Sequence, residues 1–312
     1  ALERALPTGR QRGPETTASC YPGLVAEAHR VRSPAVASAD SPPADQHLRA
    51  VLERAERSDQ RALAAAIPGW PVDLAPEEPH LTGSIQRVLA QIPPKPGAEP
   101  MLASADWSEP APATVRAASA LIGAVWPEMF QEMSVVVRQL ALLSGPSANG
   151  FTDFTTHGVI YLNRSRCQDS DDGLPARWRL AETLVHETTH NRCNGASLTA
   201  RFLRDPDDQT RVSTPLRADP RPLAGLFQQI VVLARCVQFY DRGIAHGADE
   251  REPRRAGTAL RARRDTLLAQ GTRGVATAQR HAADLSPTGA RIVDEAAALL
   301  RGAAAARAAV SS

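Results

Sequence analysis

Lysine is almost missing from this sequence of 312 residues, because Lys95 is the one lysine and arginine carries nearly all of the positive charge. This excludes a phosphate-binding loop of the GK[ST] type. It also leaves no plausible Schiff-base lysine, since Lys95 lies in the loop-like stretch IPPKPG. Positive charge is barely in excess, at a formal net charge of +2. We therefore expect neither a nucleic acid nor an anionic membrane as a partner.

Cysteine is also scarce, and no two of the four form a CxxC pair; they are Cys20, Cys167, Cys193 and Cys236. This spacing argues against a disulfide framework and against an all-cysteine zinc site, and it predicts a reducing, cytoplasmic environment. No stretch reaches the apolar length that spans a bilayer, and the first twenty residues lack the apolar core of a secretory signal. The sequence gives no sign of an oligomeric state.

Hydropathy patterning predicts an α+β fold that is mainly α-helical, with a small β-sheet packed on one central helix in the manner of zincins. We expect an extended or partly disordered segment over 1–43, a helical region over 44–110, a catalytic core over 111–245 and C-terminal helices over 246–312. The predicted helices are Ala44–Ile67, Thr82–Ile92, Ala113–Phe130, one opened by Pro175, Pro222–Asp241, one within Asp249–Asp284 and one from Ser286 onwards. The predicted strands are Ser134–Leu143 and Gly158–Asn163.

The sequence HETTH, from His186 to His190, is the most informative motif. Residues four apart on a helix share one face, so His186 and His190 can present two imidazole nitrogens to one metal ion. The carboxylate of Glu187 can reach a water bound to that ion. The preceding strand GVIYLN could hold an extended peptide if it lies at the sheet edge, as in zinc peptidases, or it could simply complete the sheet.

The third protein ligand is not evident from the sequence. In a metzincin a histidine would stand at the position of Ala196, and a gluzincin needs a glutamate that the helix Pro222–Asp241 lacks. Other acidic or histidine side chains lie in stretches that are typical of loops or solvated surface: Asp205, Asp207, Asp208, His246, Glu250 and Glu252.

Several stretches together resemble the HExxH-motif peptide-modification proteins, which occur in bacterial gene clusters for ribosomally made, modified peptides. The resemblance covers about Val135–Asp241 and rests on a strand ending in YLN, on AETLVHETTH, on RADPRPL and on a helix with VLARCVQFY. It implies an iron(II)- and 2-oxoglutarate-dependent β-hydroxylase acting on side chains of a peptide or amino-acid substrate. It also implies that both motif histidines bind iron and that the downstream helix supplies a third ligand, at a position where this chain has Gln228 in place of histidine.

The resemblance further implies a guanidinium partner for the distal carboxylate of 2-oxoglutarate, because a planar fork binds a carboxylate through two bonds. Arg221 and Arg235 each lie seven residues from Gln228 and so share its helix face. Arg235 is the stronger candidate because it interrupts an apolar stretch, where an arginine needs a partner. A structural salt bridge is the alternative explanation for it.

Two other functions remain open at this stage. The chain could be a zinc metallopeptidase or amidase in which Glu187 is the general base. It could also be a non-catalytic, metal-free binding homologue, since the neutral amide of Gln228 is a weak metal ligand. The arginine-rich stretch over 251–280 could attract an acidic peptide, but it is more typical of a solvated helix face.

Overall fold

The computed structural model describes residues 21–32, 44–92, 100–205, 210–247 and 252–311. This part of the chain is mainly helical, with one small mixed sheet and one hairpin, which confirms the prediction of an α+β fold that is mainly α-helical. The helices are α1 (Pro22–Arg32), α2 (Ala44–Ala64), α3 (Pro79–Gln91), α4 (Ala111–Val125), α5 (Pro127–Val136), α6 (Ala176–Ser197), α7 (Leu223–Ala245), α8 (Arg254–Arg280) and α9 (Pro287–Ser311).

The mixed sheet is built around two buried parallel strands. Its strands are β1 (Asp73–Ala75), β2 (Ala103–Ser104), β3 (Gln139–Ser144), β4 (Gly150–Phe151) and β5 (Val159–Asn163). Strands β1, β3 and β5 run parallel, β4 pairs antiparallel with β5 at one edge, and β2 pairs antiparallel with the end of β3. The separate hairpin joins β6 (Arg211–Thr214) to β7 (Arg217–Pro222).

Alternating side chains of the central strands enter two different hydrophobic clusters. Leu140 and Ile160 belong to the main core, whereas Ala141 and Tyr161 pack with residues of α3. A strand that is buried on both faces needs apolar side chains at every position. This explains why LALL and VIYL do not alternate between apolar and polar residues. The main core also takes in residues of α8 and α9, so one continuous interior joins the regions over 44–110, 111–245 and 246–312.

Helix α6 is clamped to the sheet by one polar side chain. The Asn191 side chain accepts a hydrogen bond from the Gly158 backbone N–H at 2.9 Å and donates to the Val159 carbonyl at 3.1 Å. Asn191 is fully buried, so both bonds lie in the interior, where an unmade hydrogen bond is costly. The clamp fixes how far α6 can slide or turn against β5.

Helix α7 packs along α6 as a core helix. By length and composition Leu223–Ala245 could cross a membrane, which corrects the expectation that no stretch reaches that apolar length; 61% of its apolar window is buried inside the fold. Trp178 of α6 stacks near Phe239 and Tyr240 of α7, with ring centres 5.3 and 5.9 Å apart. This burial accounts for the apolar sequence of α7.

Several predicted elements agree with the structure, and three need correction. The helix expected over Ala113–Phe130 is broken at Trp126, because a residue before proline is disfavoured in helical conformation. Strand β3 begins at Gln139 rather than Ser134, since the β-branched run before it belongs to α5. Pro22–Arg32 is helical rather than extended; the expectation for the rest of 1–43 concerns residues that lie outside the described ranges.

Candidate metal centre

His186 and His190 lie together on one face of α6, as their spacing predicts. Their ring centres are 5.0 Å apart and the ring planes are inclined by 56°. A metal ion about 2.0–2.1 Å from each coordinating nitrogen can join two rings at this separation. The side chain of His186 remains 28% exposed, so the pair is accessible from solvent.

Gln228 of α7 is brought to this pair. Its Oε1 lies 2.7 Å from Nδ1 of His190, and its Nε2 donates to Oδ1 of Asn194 at 3.1 Å. The second bond orients the amide so that its oxygen faces the imidazole. Asn194 was not singled out from the sequence, although it lies one helical turn beyond His190 on α6, and this spacing could have identified it.

Burial controls the charge of all three titratable groups of the motif. It lowers the pKa of His186 to about 3, with a further contribution from His190. It also lowers the pKa of His190, against the opposing effect of the Gln228 hydrogen bond. Both imidazoles are therefore neutral at pH 7, which is the form that binds metals. Burial raises the pKa of Glu187 to about 8, opposed by the charge of Arg166.

Glu187 lies beneath the edge strand of the sheet. Its Oε1 is 4.0 Å from Nε2 of His186 and 3.4 Å from the position that a Cβ on Gly150 would occupy. Gly150 belongs to β4, so β4 rather than β5 is the strand at this edge. Of the two alternatives for GVIYLN, the structure therefore has the second: the strand completes the sheet, because a two-residue strand too short to show in the sequence pattern pairs with its outer side.

The third protein donor beside the two histidines is the amide oxygen of Gln228. Among the described residues, no group of three histidine, cysteine, aspartate or glutamate side chains could hold a metal ion. Asp207 and Asp208 lie outside the described residues. The donor set that the structure brings together is therefore two imidazoles and the amide oxygen of Gln228. This set fits a divalent ion of the iron or zinc class, with a weaker third ligand than carboxylate or imidazole.

The two arginines predicted to bind 2-oxoglutarate are engaged elsewhere. Arg235 donates to both oxygens of Glu132, at 2.7 and 2.9 Å, and its guanidinium lies over the Trp126 ring. This is the structural salt bridge that was the alternative explanation. Nε of Arg221 lies 2.9 Å from the carboxylate of Asp219, its neighbour on β7, without hydrogen-bond geometry.

A different arginine lies beside the motif. Arg166, in the 3-10 turn Arg164–Cys167 that follows β5, donates from Nε to Oγ1 of Thr183 at 3.0 Å. Its charge lowers the pKa of both His186 and Glu187, so the guanidinium acts on the motif electrostatically. The sequence gives only a weak sign of this, the position of Arg166 just after the strand that precedes the motif helix.

No protein-family model matches this chain, and no curated protein matches it.

Proposed function

We propose that this chain is an iron(II)- and 2-oxoglutarate-dependent oxygenase that hydroxylates an amino-acid side chain, at the β-carbon, in a ribosomally made peptide. The observation that supports it best is the contact of Gln228 with His190, next to His186 on the same helix face. We further propose a zincin-like packing of the sheet on α6, membership of the HExxH peptide-modification family, and a cytoplasmic location without nucleic-acid or membrane partners.

The spacing of Gln228 and His190 suits two neighbouring ligands. Oε1 accepts a hydrogen bond from Nδ1 at 2.7 Å, close to the roughly 3.0 Å between two neighbouring ligands that each lie about 2.1 Å from an octahedral ion. Binding an ion through Nδ1 would move the imidazole proton to Nε2 and replace this hydrogen bond. Three protein donors on one side of an ion leave the opposite positions open, which is the arrangement of non-haem iron oxygenases. A bound iron(II) would supply oxygen activation, with 2-oxoglutarate as the two-electron reductant that becomes succinate and carbon dioxide.

The surrounding residues shape the space in front of the pair. The backbone of Gly150 lies close to the Glu187 carboxyl, and Glu187 is buried. Water therefore has little access to the histidine pair from the side of Glu187. Burial raises the pKa of the Glu187 carboxyl to about 8, which favours its neutral form beside His186 at pH 7. Gln228 holds the orientation of His190 through its amide. In an oxygenase Glu187 is thus a neighbour of the ligands rather than a base.

Gln228 gives a direct test of the ligand set. We expect Gln228→Ala to weaken iron(II) binding by roughly 10- to 100-fold, as much as the loss of an outer-shell partner costs, because a neutral amide oxygen is a weak ligand. Gln228→His should keep or tighten binding, because imidazole is a stronger ligand than a neutral amide. Anaerobic competition titrations against a coloured chelator measure both. Gln229→Ala, at the next residue, is the matched control; equal affinity in Gln228→Ala and the control would remove Gln228 from the site.

A second candidate is zinc-dependent peptide or amide hydrolysis. It is favoured by the position of Glu187, whose carboxyl oxygen lies 4.0 Å from Nε2 of His186 and could act on a metal-bound water. The third candidate, a metal-free binding homologue, is favoured by the absence of a carboxylate or third histidine among the described ligand candidates.

One set of assays separates the three functions. Protein is loaded with iron(II) anaerobically, then exposed to oxygen, 2-oxoglutarate and a synthetic peptide library, and succinate and peptide masses are measured. We expect succinate and a peptide that gains one oxygen atom, with Glu187→Gln retaining most of this activity. Peptide cleavage by zinc-loaded protein that is abolished in Glu187→Gln would instead identify a hydrolase. Absence of any stoichiometric metal would identify the binding homologue.

A further inference from the structure

Arg166 is a partly buried arginine whose side-chain hydrogen-bond partners are all neutral. Its Nε donates to Thr183 Oγ1 at 3.0 Å, and its Nη2 donates to the backbone carbonyl of Arg179 at 3.1 Å. Within the described ranges no carboxylate forms an ion pair with it, whereas Arg263 is paired with Glu182 and Arg235 with Glu132. A partly buried guanidinium with neutral partners keeps its charge available for an anion.

Arg166 is held one helical turn from the motif. Its anchor Thr183 precedes His186 by three residues and Glu187 by four, so the three side chains share one face of α6. Gly150 confirms this, because a Cβ there would lie 3.4 Å from both Thr183 Cγ2 and Glu187 Oε1. Arg166 and His186 both keep part of their surface exposed, so a ligand can reach them from solvent.

We propose that Arg166 binds a carboxylate of the small molecule that occupies the site of His186 and His190. On the proposed function, on which this inference rests, that group is the distal carboxylate of 2-oxoglutarate, in place of the partners first expected, Arg221 and Arg235. Neighbours three or four apart on a helix are separated by about 5–6 Å. With carbon–carbon bonds of about 1.5 Å, the two carboxyl carbons of a five-carbon diacid lie roughly 5 Å apart. A five-carbon diacid with one end at the histidine pair is therefore long enough to extend past the next turn of α6, where Thr183 holds Arg166.

The test compares two ligands that differ only at the distal end. 2-Oxopentanoate has the five-carbon oxoacid chain of 2-oxoglutarate but a methyl group in place of the distal carboxylate. Both are titrated calorimetrically, without oxygen, into the full chain loaded with iron(II). We expect the wild type to bind 2-oxoglutarate roughly 10- to 100-fold more tightly than 2-oxopentanoate, as one charge-assisted bidentate contact provides. Arg166→Gln should remove this preference without weakening 2-oxopentanoate.

The matched control is Arg164→Gln, which removes an exposed arginine from the same 3-10 turn and should keep the wild-type preference. If Arg166→Gln does not fold, Arg166→Lys gives the same comparison, since it keeps the charge and loses the planar fork. A reduced preference supports the inference, and a wild-type preference overturns it. A preference lost in Arg164→Gln as well would also overturn it, because the effect would then be one of net charge.

Iron content, measured on each sample, separates this inference from the proposed function. If the wild type holds no iron, the proposed function fails and the role of Arg166 fails with it. If iron is bound at one ion per chain and the preference does not depend on Arg166, only the present inference fails. Binding of 2-oxoglutarate that Arg166→Gln leaves unchanged, while binding of an aspartate-containing peptide is lost, would assign Arg166 to the substrate instead and refute the cosubstrate role.

Discussion

Replacing His190 with alanine should reduce iron(II) affinity by roughly 10²- to 10³-fold. A structural zinc site with four ligands binds its ion with about 10–16 kcal/mol, and a quarter of this free energy, the share of one ligand, corresponds to that loss. The variant removes one metal donor. It also leaves the amide oxygen of Gln228 without its hydrogen-bond partner, the imidazole 2.7 Å away. Since His190 is only partly buried, its loss should not unfold the chain. Metal content after anaerobic loading and desalting should fall from one ion per chain to a small fraction.

His281→Ala is the control, because this histidine lies at the end of α8 beside Asp284, outside the motif. Its metal content should equal that of the wild type. Circular dichroism of both variants checks that the helices persist. Full metal content in His190→Ala with an intact fold would show that the ion, if any, is bound elsewhere, and both enzymatic functions would then lose their basis.

Replacing Glu182 with alanine should destabilise the fold by about 3–5 kcal/mol, the cost of leaving the partner of a buried ion pair uncompensated. Glu182 is buried one helical turn before His186. Arg263 of α8 donates to both of its oxygens, at 2.6 and 2.9 Å, and Tyr240 of α7 donates to one of them at 2.7 Å. The carboxylate thus joins three helices, and its removal leaves a guanidinium and a hydroxyl without a partner.

Urea unfolding of Glu182→Ala and the wild type measures this effect. The control is Glu295→Ala, in an exposed i, i+4 pair with Arg291, which should change stability little. Burial alone would raise the pKa of Glu182, but the hydrogen bond and charge of Arg263 outweigh it and lower that pKa. The stabilisation is therefore complete above the ordinary carboxyl pKa of about 4.3 and is lost as pH falls through the lowered one. A difference that stays the same at acidic pH would contradict the ion-pair explanation.

Sequence spacing was sufficient to predict that the two histidines lie side by side, but it did not predict which side chains surround them. The i, i+4 relation of His186 and His190 is a property of one helix, and the structure keeps it. The helix-face relation of Arg235 to Gln228 is equally local, yet Glu132 of α5, 103 residues earlier, pairs with that arginine. Sequence periodicity predicts which residues share a helix face. It does not predict which charged side chain of another helix will pair with them.

The same reason explains why Arg166 was missed. Its link to the motif is a side-chain bond to Thr183, which depends on how the turn after β5 folds back onto α6. Nothing in the spacing of the two residues predicts that bond. The strand β4 escaped prediction for another reason: two residues, Gly150 and Phe151, are too few to show a period.

The clamp made by Asn191 has a consequence for how the ion would be taken up. With α6 tied to β5 through Gly158 and Val159, the two imidazoles are fixed by the protein interior and not by the metal. In zinc fingers, by contrast, the ion supplies the free energy that folds the chain. Here a strong chelator would remove the ion while the protein stays folded. Metal uptake and release would then be reversible binding to a rigid, preformed site.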